Sequence, residues 1–351
     1  MLAGYTYEEC VANVHATIDL LQKLGFTIHS KKSVLVPTQK IVFLGFIFDT
    51  KNMTMRLTLE KKQKIIHLCE QILKKKQCSI RELASLIGNM VASMDAIPYG
   101  RLHYRNLETD KIIALRKNKG NFEAKLTISK DSKKEIYWWS KNIEASFAYI
   151  NIPKIDYTMH TDASELGWGA TNGIEEIGGP WLEKEKGQHI NVLELYSIYL
   201  ALKSFIKPSL KHIRVMADNT TAIAYLNNMG GIKSRMCNEL AQLIWDICIK
   251  NGSWISAAHI PGVENAIADK KSREFESSCE WELPIEDFKS LAIKYGEPEI
   301  DLFASRNNYK ILSYVSWKPD PGSVAIDAFS LSWANKYVYC FPPFSLIMKV
   351  L

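Results

Sequence analysis

After Pro153 the sequence settles into an order that few folds accommodate. Three runs of β character, "IDYTMHTDA", "LGWGATN" and "EEIGGPWL", follow one another with little between them. A helical stretch then runs from Asn191 to Ile206, followed by a strand "HIRVMAD", a helix from Asn219, another from Arg235 to Lys250, a strand "GSWISAAH" and a short helix ending near Arg273. Three strands and then helix–strand–helix–helix–strand–helix is the pattern of a mixed sheet with helices packed against it.

One charge is out of place in that pattern. Asp162 ends the first strand near apolar Met159 and beside the small residues Ala163 and Ser164, where a carboxylate needs a partner or a metal. Three more acids fall at comparable positions: Glu194 in the first turn of the long helix, Asp218 after "IRVMA", and Asp269 in the last helix. Each of the three has an ordinary alternative. Glu194 suits the N3 place of a capping box begun by Asn191, Asp218 suits the N-cap of "NTTAIAYLN", and Asp269 suits a solvated helix face. Held together, however, four carboxylates repel one another unless divalent cations neutralise them. Hard oxygen ligands without a His/Cys set point to Mg²⁺ or Mn²⁺. Two such ions roughly 3.5–4 Å apart clamp a phosphodiester during in-line displacement.

The segments "TDAS…GWGA", "NVLEL", "MADNTTAIAYLN" and "AHIPGVENAIADKKSR" resemble, in order, the four motifs of the type 1 ribonuclease H domain in the form carried by retroelement polyproteins. The resemblance implies an α/β domain over residues 151–275, with a mixed five-stranded sheet flanked by helices. It implies Asp162, Glu194, Asp218 and Asp269 as the ligands of two Mg²⁺ (or Mn²⁺) ions. His259, ten positions before Asp269, is expected on a flexible loop, where the family places a histidine that helps proton transfer and product release. Asn265 matches a family position too, with helix capping as its plainer role. The implied reaction is cutting of the RNA strand of an RNA–DNA hybrid, and 2′-hydroxyls in the minor groove are what distinguish RNA from DNA. Ser164, Asn219 and Thr220, beside the carboxylates, are candidates for such contacts, or are simple turn and cap residues.

The flanks carry weaker resemblances. Residues 1–50 suggest a helix from Tyr7 to Leu24, a turn at Gly25, and β-type segments "FTIHS" and "KIVFLGFIFDT". Helices are expected from Thr58 and from "SIRE", where Ser79 and Glu82 have capping-box spacing; "NLETDKIIALRKNKGN" reads as a polar connector before an aromatic helix at "EIYWWSKNI". "LGFTIHSKKS…PTQKIVFLGF" is similar to the end of a reverse-transcriptase palm, which makes residues 1–56 the palm end and 57–150 a helical thumb or connection. The paired aspartates of a polymerase are absent, since the sequence has no Asp-Asp pair. The chain is therefore expected to begin after the polymerase site and to lack polymerase activity on its own. Lys31, Lys32, Lys61 and Lys62 are candidates for gripping a primer–template duplex, with strong salt dependence.

After a linker at Glu274–Pro284, residues 285–351 resemble the segment that follows ribonuclease H in DIRS-like retroelements. That segment is sometimes compared with N6-adenine methyltransferases, but Phe341 of "FPPF" stands where their polar residue belongs, so strand–turn packing is expected there rather than methyl transfer.

Composition agrees with a nucleic-acid partner. The net charge is +6, and many lysines, among them Lys61, Lys62, Lys64, Lys74, Lys75 and Lys76, lie before residue 150, although solvated helix faces would look the same. Seven scattered cysteines, Cys279 included, form no CxxC, which suggests a reducing compartment. The acidic N-terminus does not read as a signal peptide, and "VLELYSIYLALKSFI" is broken by Glu194 and Lys203, so an intracellular protein without a membrane span is expected. The alternative to an active nuclease is a catalytically inactive nucleic-acid-binding remnant. A transposase or integrase of ribonuclease H-like fold would share the carboxylates but not the motif wording.

Overall fold

The computed structural model of the protein describes residues 2–206, 210–275 and 281–351, leaving Cys279 and the middle of the expected linker outside the described residues. The chain divides into two compact units, Met1–Ile152 and Pro153–Leu351.

The first unit opens with α1 (Tyr7–Lys23), which buries none of its residues. "KIVFLGFIFDT" folds as a hairpin, β1 (Lys40–Phe43) and β2 (Phe46–Asp49). Its turn residues Leu44 and Gly45 have φ of 52° and 79°. A two-residue hairpin turn needs left-handed backbone to match the twist of its strands. Glycine adopts that conformation freely, whereas Leu44 gives up roughly 1 kcal/mol to it. β3 (Thr54–Leu57) adds antiparallel to β2. "FTIHS" forms no strand; Phe26 is exposed and no neighbouring strand among the described residues supplies the ladder that a β segment needs.

A helical layer follows. α2 (Leu59–Lys74) buries Ile65, Cys69 and Ile72, and after a two-residue strand β4 (Cys78–Ser79), α3 (Ile80–Val91) buries Ile80, Leu83, Leu86, Ile87 and Met90. Those spacings put one stripe of each helix into the same core, each side chain contributing roughly 1.5–3 kcal/mol. The capping box of α3 forms: the Ser79 hydroxyl accepts from Glu82 N at 3.1 Å, and the Glu82 carboxylate accepts from Ser79 N at 2.7 Å. The expected polar connector is instead a helix, α4 (Arg105–Lys117). Little of it is apolar, but Leu107 and Ala114 are buried seven residues apart. Its first turn is held by the buried Glu135 carboxylate, which accepts from Asn106 N and Leu107 N, both at 3.1 Å. Glu135 belongs to α5 (Lys130–Asn142), beyond the short strand β5 (Lys125–Leu126) that pairs with β4. The strand β6 (Ala148–Tyr149) closes the first sheet, in the order β1-β2-β3-β6.

The second unit contains the expected five-stranded mixed sheet with flanking helices. Its elements run β7 (Tyr157–Ala163), β8 (Gly167–Thr171), β9 (Glu176–Pro180), α6 (Ile190–Phe205), β10 (His212–Ala217), α7 (Thr220–Asn227), α8 (Arg235–Lys250), β11 (Trp254–His259) and α9 (Ala266–Arg273). The strand order is β11-β10-β7-β8-β9. β10 lies parallel to both β7 and β11, while β7, β8 and β9 form an antiparallel meander. β7 is thus the central strand, flanked on both sides.

Beyond it, α10 (Ile285–Tyr295) leads to four two-residue strands around Ile300, Leu302, Val315 and Ala328. Arg306 of that segment reaches the buried Glu185 carboxylate, which also accepts from the Tyr196 hydroxyl at 2.9 Å. No helix of the described residues is long and apolar enough to cross a membrane.

Candidate carboxylate centre

Asp162 is the penultimate residue of β7 and is 4% exposed; Glu194, on α6, is 3% exposed. Asp218 follows the last residue of β10, and because β10 runs parallel to β7 the two carboxylates emerge at the same end of the sheet. One oxygen from each of Asp162, Glu194 and Asp218 lies within 4.8 Å of the other two.

The ordinary roles available to these acids are filled by other residues. His189 caps α6, its ring nitrogen accepting from Asn191 N at 3.1 Å, so no capping box holds Glu194. Asn219 caps α7 by accepting from Ala222 N at 2.9 Å, which leaves the Asp218 carboxylate out of the cap. The Asn219 amide also donates to Asn191 Oδ1 at 3.0 Å, tying the start of α6 to the end of β10. This bond holds together the segments that carry Glu194 and Asp218.

The electrostatics record the crowding. Burial, then the Asp162 and Asp218 charges, push the Glu194 carboxyl up to about 9. Asp162 is raised to about 6, first by burial and then by Asp218 and Asp269, against the hydrogen bond from Ser272. Glu194 Oε2 is a buried oxygen with no hydrogen-bond partner. Buried like charges with an orphaned oxygen are what a bound cation relieves.

Asp269 stands apart from the trio. Its Oδ1 accepts from Arg273 Nε at 2.8 Å, an i,i+4 pair on the partly exposed face of α9. His259 is the exposed last residue of β11, opposite Ala217, rather than a loop residue; the ladder to β10 extends through it because Ile260 N still donates to Ala217 O at 3.0 Å. The following loop reaches the cluster at Gly262, where a Cβ would fall 3.3 Å from Asp218 Oδ2.

Asn265 is buried and does not cap α9: its amide donates to Thr161 O at 2.9 Å, and its Oδ1 is unpartnered. Ser164 is also buried. Its hydroxyl donates to Ser272 O at 2.6 Å and accepts from Leu166 N and Gly167 N, so it serves the β7–β8 turn. Thr220 is exposed in the first turn of α7.

Of the four lysines, Lys31 and Lys32 are exposed. Lys61 and Lys62 are not free cations: Lys61 donates to Leu44 O and Ala92 O and sits 4.2 Å from the Phe46 ring centre, and Lys62 donates to Glu144 O. Burial lowers both ammonium pKa values. Positive sign alone did not reveal that backbone carbonyls claim them.

No family profile matches the sequence, and no curated protein sequence matches it. Solved structures similar to it include ribonuclease H1 from the halophilic archaeon Halobacterium salinarum, 16% identical, covering 33% of this chain and 92% of that one with a TM-score of 0.28. The N-terminal ribonuclease H domain of a Mycobacterium tuberculosis protein is 14% identical, covering 32% of this chain and 95% of that one, TM-score 0.26. The foamy viral protease-reverse transcriptase in complex with an RNA/DNA hybrid is 14% identical, covering 81% of this chain but 37% of its own, TM-score 0.36.

Three hydrogen bonds around the cluster went unrecognised in the sequence. Asn191 bonds Asn219, Ser197 donates to the Asp162 carbonyl at 2.8 Å, and Ser272 donates to Asp162 Oδ2 at 2.8 Å. The only local hint was their nearness to motif acids.

Proposed function

We propose that the protein is a divalent-metal-dependent ribonuclease H of retroelement type, hydrolysing the RNA strand of RNA–DNA hybrids. The observation that carries this reading is the meeting of Asp162, Glu194 and Asp218. Hard oxygen donors, raised proton affinities and the orphaned Glu194 Oε2 fit Mg²⁺ or Mn²⁺. When bound, two such ions supply an activated water and charge neutralisation at the leaving oxygen.

Asp162, Glu194 and Asp218 would hold the metal, with Asp269 as a fourth ligand in competition with Arg273. His259, exposed at the end of β11, would carry a proton on its ring nitrogen during product release. Thr220, exposed in the first turn of α7, and Asn219, its N-cap, are candidates for 2′-hydroxyl contacts. Ser164 has its hydroxyl already engaged and suits a supporting role. Residues 1–56 and 57–150 are proposed as palm end and thumb or connection of a reverse transcriptase, holding a primer–template duplex through Lys31 and Lys32.

A hybrid labelled on each strand in turn tests the reading. In Mg²⁺ the RNA strand should fragment while the DNA strand stays whole, and EDTA should stop the reaction. An intact RNA strand with retained hybrid binding would leave the inactive, nucleic-acid-binding alternative.

A further inference from the structure

Ser272 is 0% exposed, and its hydroxyl joins two elements 110 residues apart in sequence. It sits in α9, which lies directly on the meander. A Cβ on Gly169 would fall 2.1 Å from Ala268 O and 2.7 Å from Ser272 N, and one on Gly178 would fall 2.6 Å from Lys271 O. The two glycines let the helix backbone settle against β8 and β9, which brings Ser272 Oγ to 2.8 Å from Asp162 Oδ2. Its carbonyl is held in turn by the Ser164 hydroxyl at 2.6 Å.

The same Oγ is 2.8 Å from Asp269 O, one turn back. A serine hydroxyl has one hydrogen to give. Serine within a helix often spends it on such a carbonyl, but an ionised carboxylate is the stronger acceptor by about twofold.

We propose that Ser272 is a positioning residue for the metal centre, occupying Asp162 Oδ2 so that the other oxygen is the one presented to the cation. The proposal rests on the reading of the cluster as a divalent-metal site. Partners behind a metal-binding carboxylate commonly govern affinity by about 10–100-fold when removed.

Ser197 provides a matched control. It is equally buried and donates at 2.8 Å to the same residue, but to the Asp162 main-chain carbonyl. Mn²⁺ titrated into the full chain by calorimetry should bind Ser272→Ala about tenfold or more weakly than wild type. Ser197→Ala should bind within about threefold of wild type even where its melting temperature falls. Ser272→Cys, nearly isosteric but a poor donor, should match Ser272→Ala and carries the test if the alanine variant does not fold.

Equal Mn²⁺ affinity in wild type and the Ser272 variants would overturn the positioning role while leaving the metal site standing. An equal loss in Ser197→Ala would reduce Ser272 to a packing residue. Absence of Mn²⁺ binding by the wild-type chain would overturn the metal reading and this inference with it.

Discussion

Gly169 lies beneath Ala268 so closely that a Cβ on the glycine would stand 2.1 Å from the alanine carbonyl oxygen. In the sequence this glycine weakens a short strand and marks a place for a close backbone approach. In the fold it is where α9, with Asp269 and Ser272, seats on the sheet that carries Asp162.

Gly169→Ala should therefore lift α9 and destabilise the protein by about 1–3 kcal/mol or more, the usual cost of overpacking. Gly173, with φ of 86° and nothing within 4 Å of an added Cβ, tests the contrast. Alanine there meets backbone strain alone, and chemical denaturation should rank Gly169→Ala as the more damaging variant.

The raised carboxyls make metal-free stability fall with pH. In the folded chain Asp162 and Glu194 hold protons up to about 6 and about 9, while their ordinary values are 3.8 and 4.5. Between those limits the folded state binds more protons than the unfolded state, so stability drops as pH rises. This contribution is whole below about pH 4 and is lost progressively as the pH climbs through 6 toward 9. Melting curves in EDTA should show the decline. Glu194→Gln should flatten its alkaline part, leaving the contribution of Glu135, which burial raises to about 7. A melting temperature that rises over this range would contradict the assignment.

Arg306 and Glu185 form a buried pair, with side-chain exposures of 11% and 7%. Arg306→Ala strands the carboxylate and should cost about 3–5 kcal/mol. Replacing both partners by apolar residues, Arg306→Met with Glu185→Leu, should recover most of that in a denaturant titration. The segment after residue 285 would then count as a structural part of the second unit.

Lysines divide by what already holds them. Duplex binding measured against salt should lose about 0.9 from the log–log slope for each phosphate contact removed. Lys31→Ala and Lys32→Ala should each approach that loss. Lys61→Ala should leave the slope unchanged, since its ammonium is spent on Leu44 O and Ala92 O.

The second unit was readable in outline because its signals are local. Alternation marks the three meander strands, and the order of strands and helices after them marks the sheet; in the first unit, Ser79 with Glu82 announces α3 within four residues. The misses share a cause as well. The Leu44–Gly45 turn lacks the usual Asn or Asp before glycine. α4 looks like a connector because its N-terminus is stabilised by Glu135, some 28 residues away, and not by its own pattern. The Ser272–Asp162 bond spans 110 residues and depends on glycines in two further strands. Asp162 was legible singly as an oddity and the other three acids only as members of a set, whereas the pairing of Asp269 with Arg273 is a property of packed side chains.

The proposed activity rests on Asp162, Glu194 and Asp218, brought to one end of the sheet, holding the metal for RNA cleavage. Its most direct measurement is the rate of RNA-strand cleavage of a hybrid in Mg²⁺ by the wild-type chain and by Asp218→Asn, which keeps the shape and removes one charge at a half-buried position. Metal-assisted catalysis supplies several kcal/mol, so the variant should be slower by roughly 100-fold or more. A wild-type chain that leaves the RNA whole, or a variant that cleaves at the wild-type rate, would contradict the account.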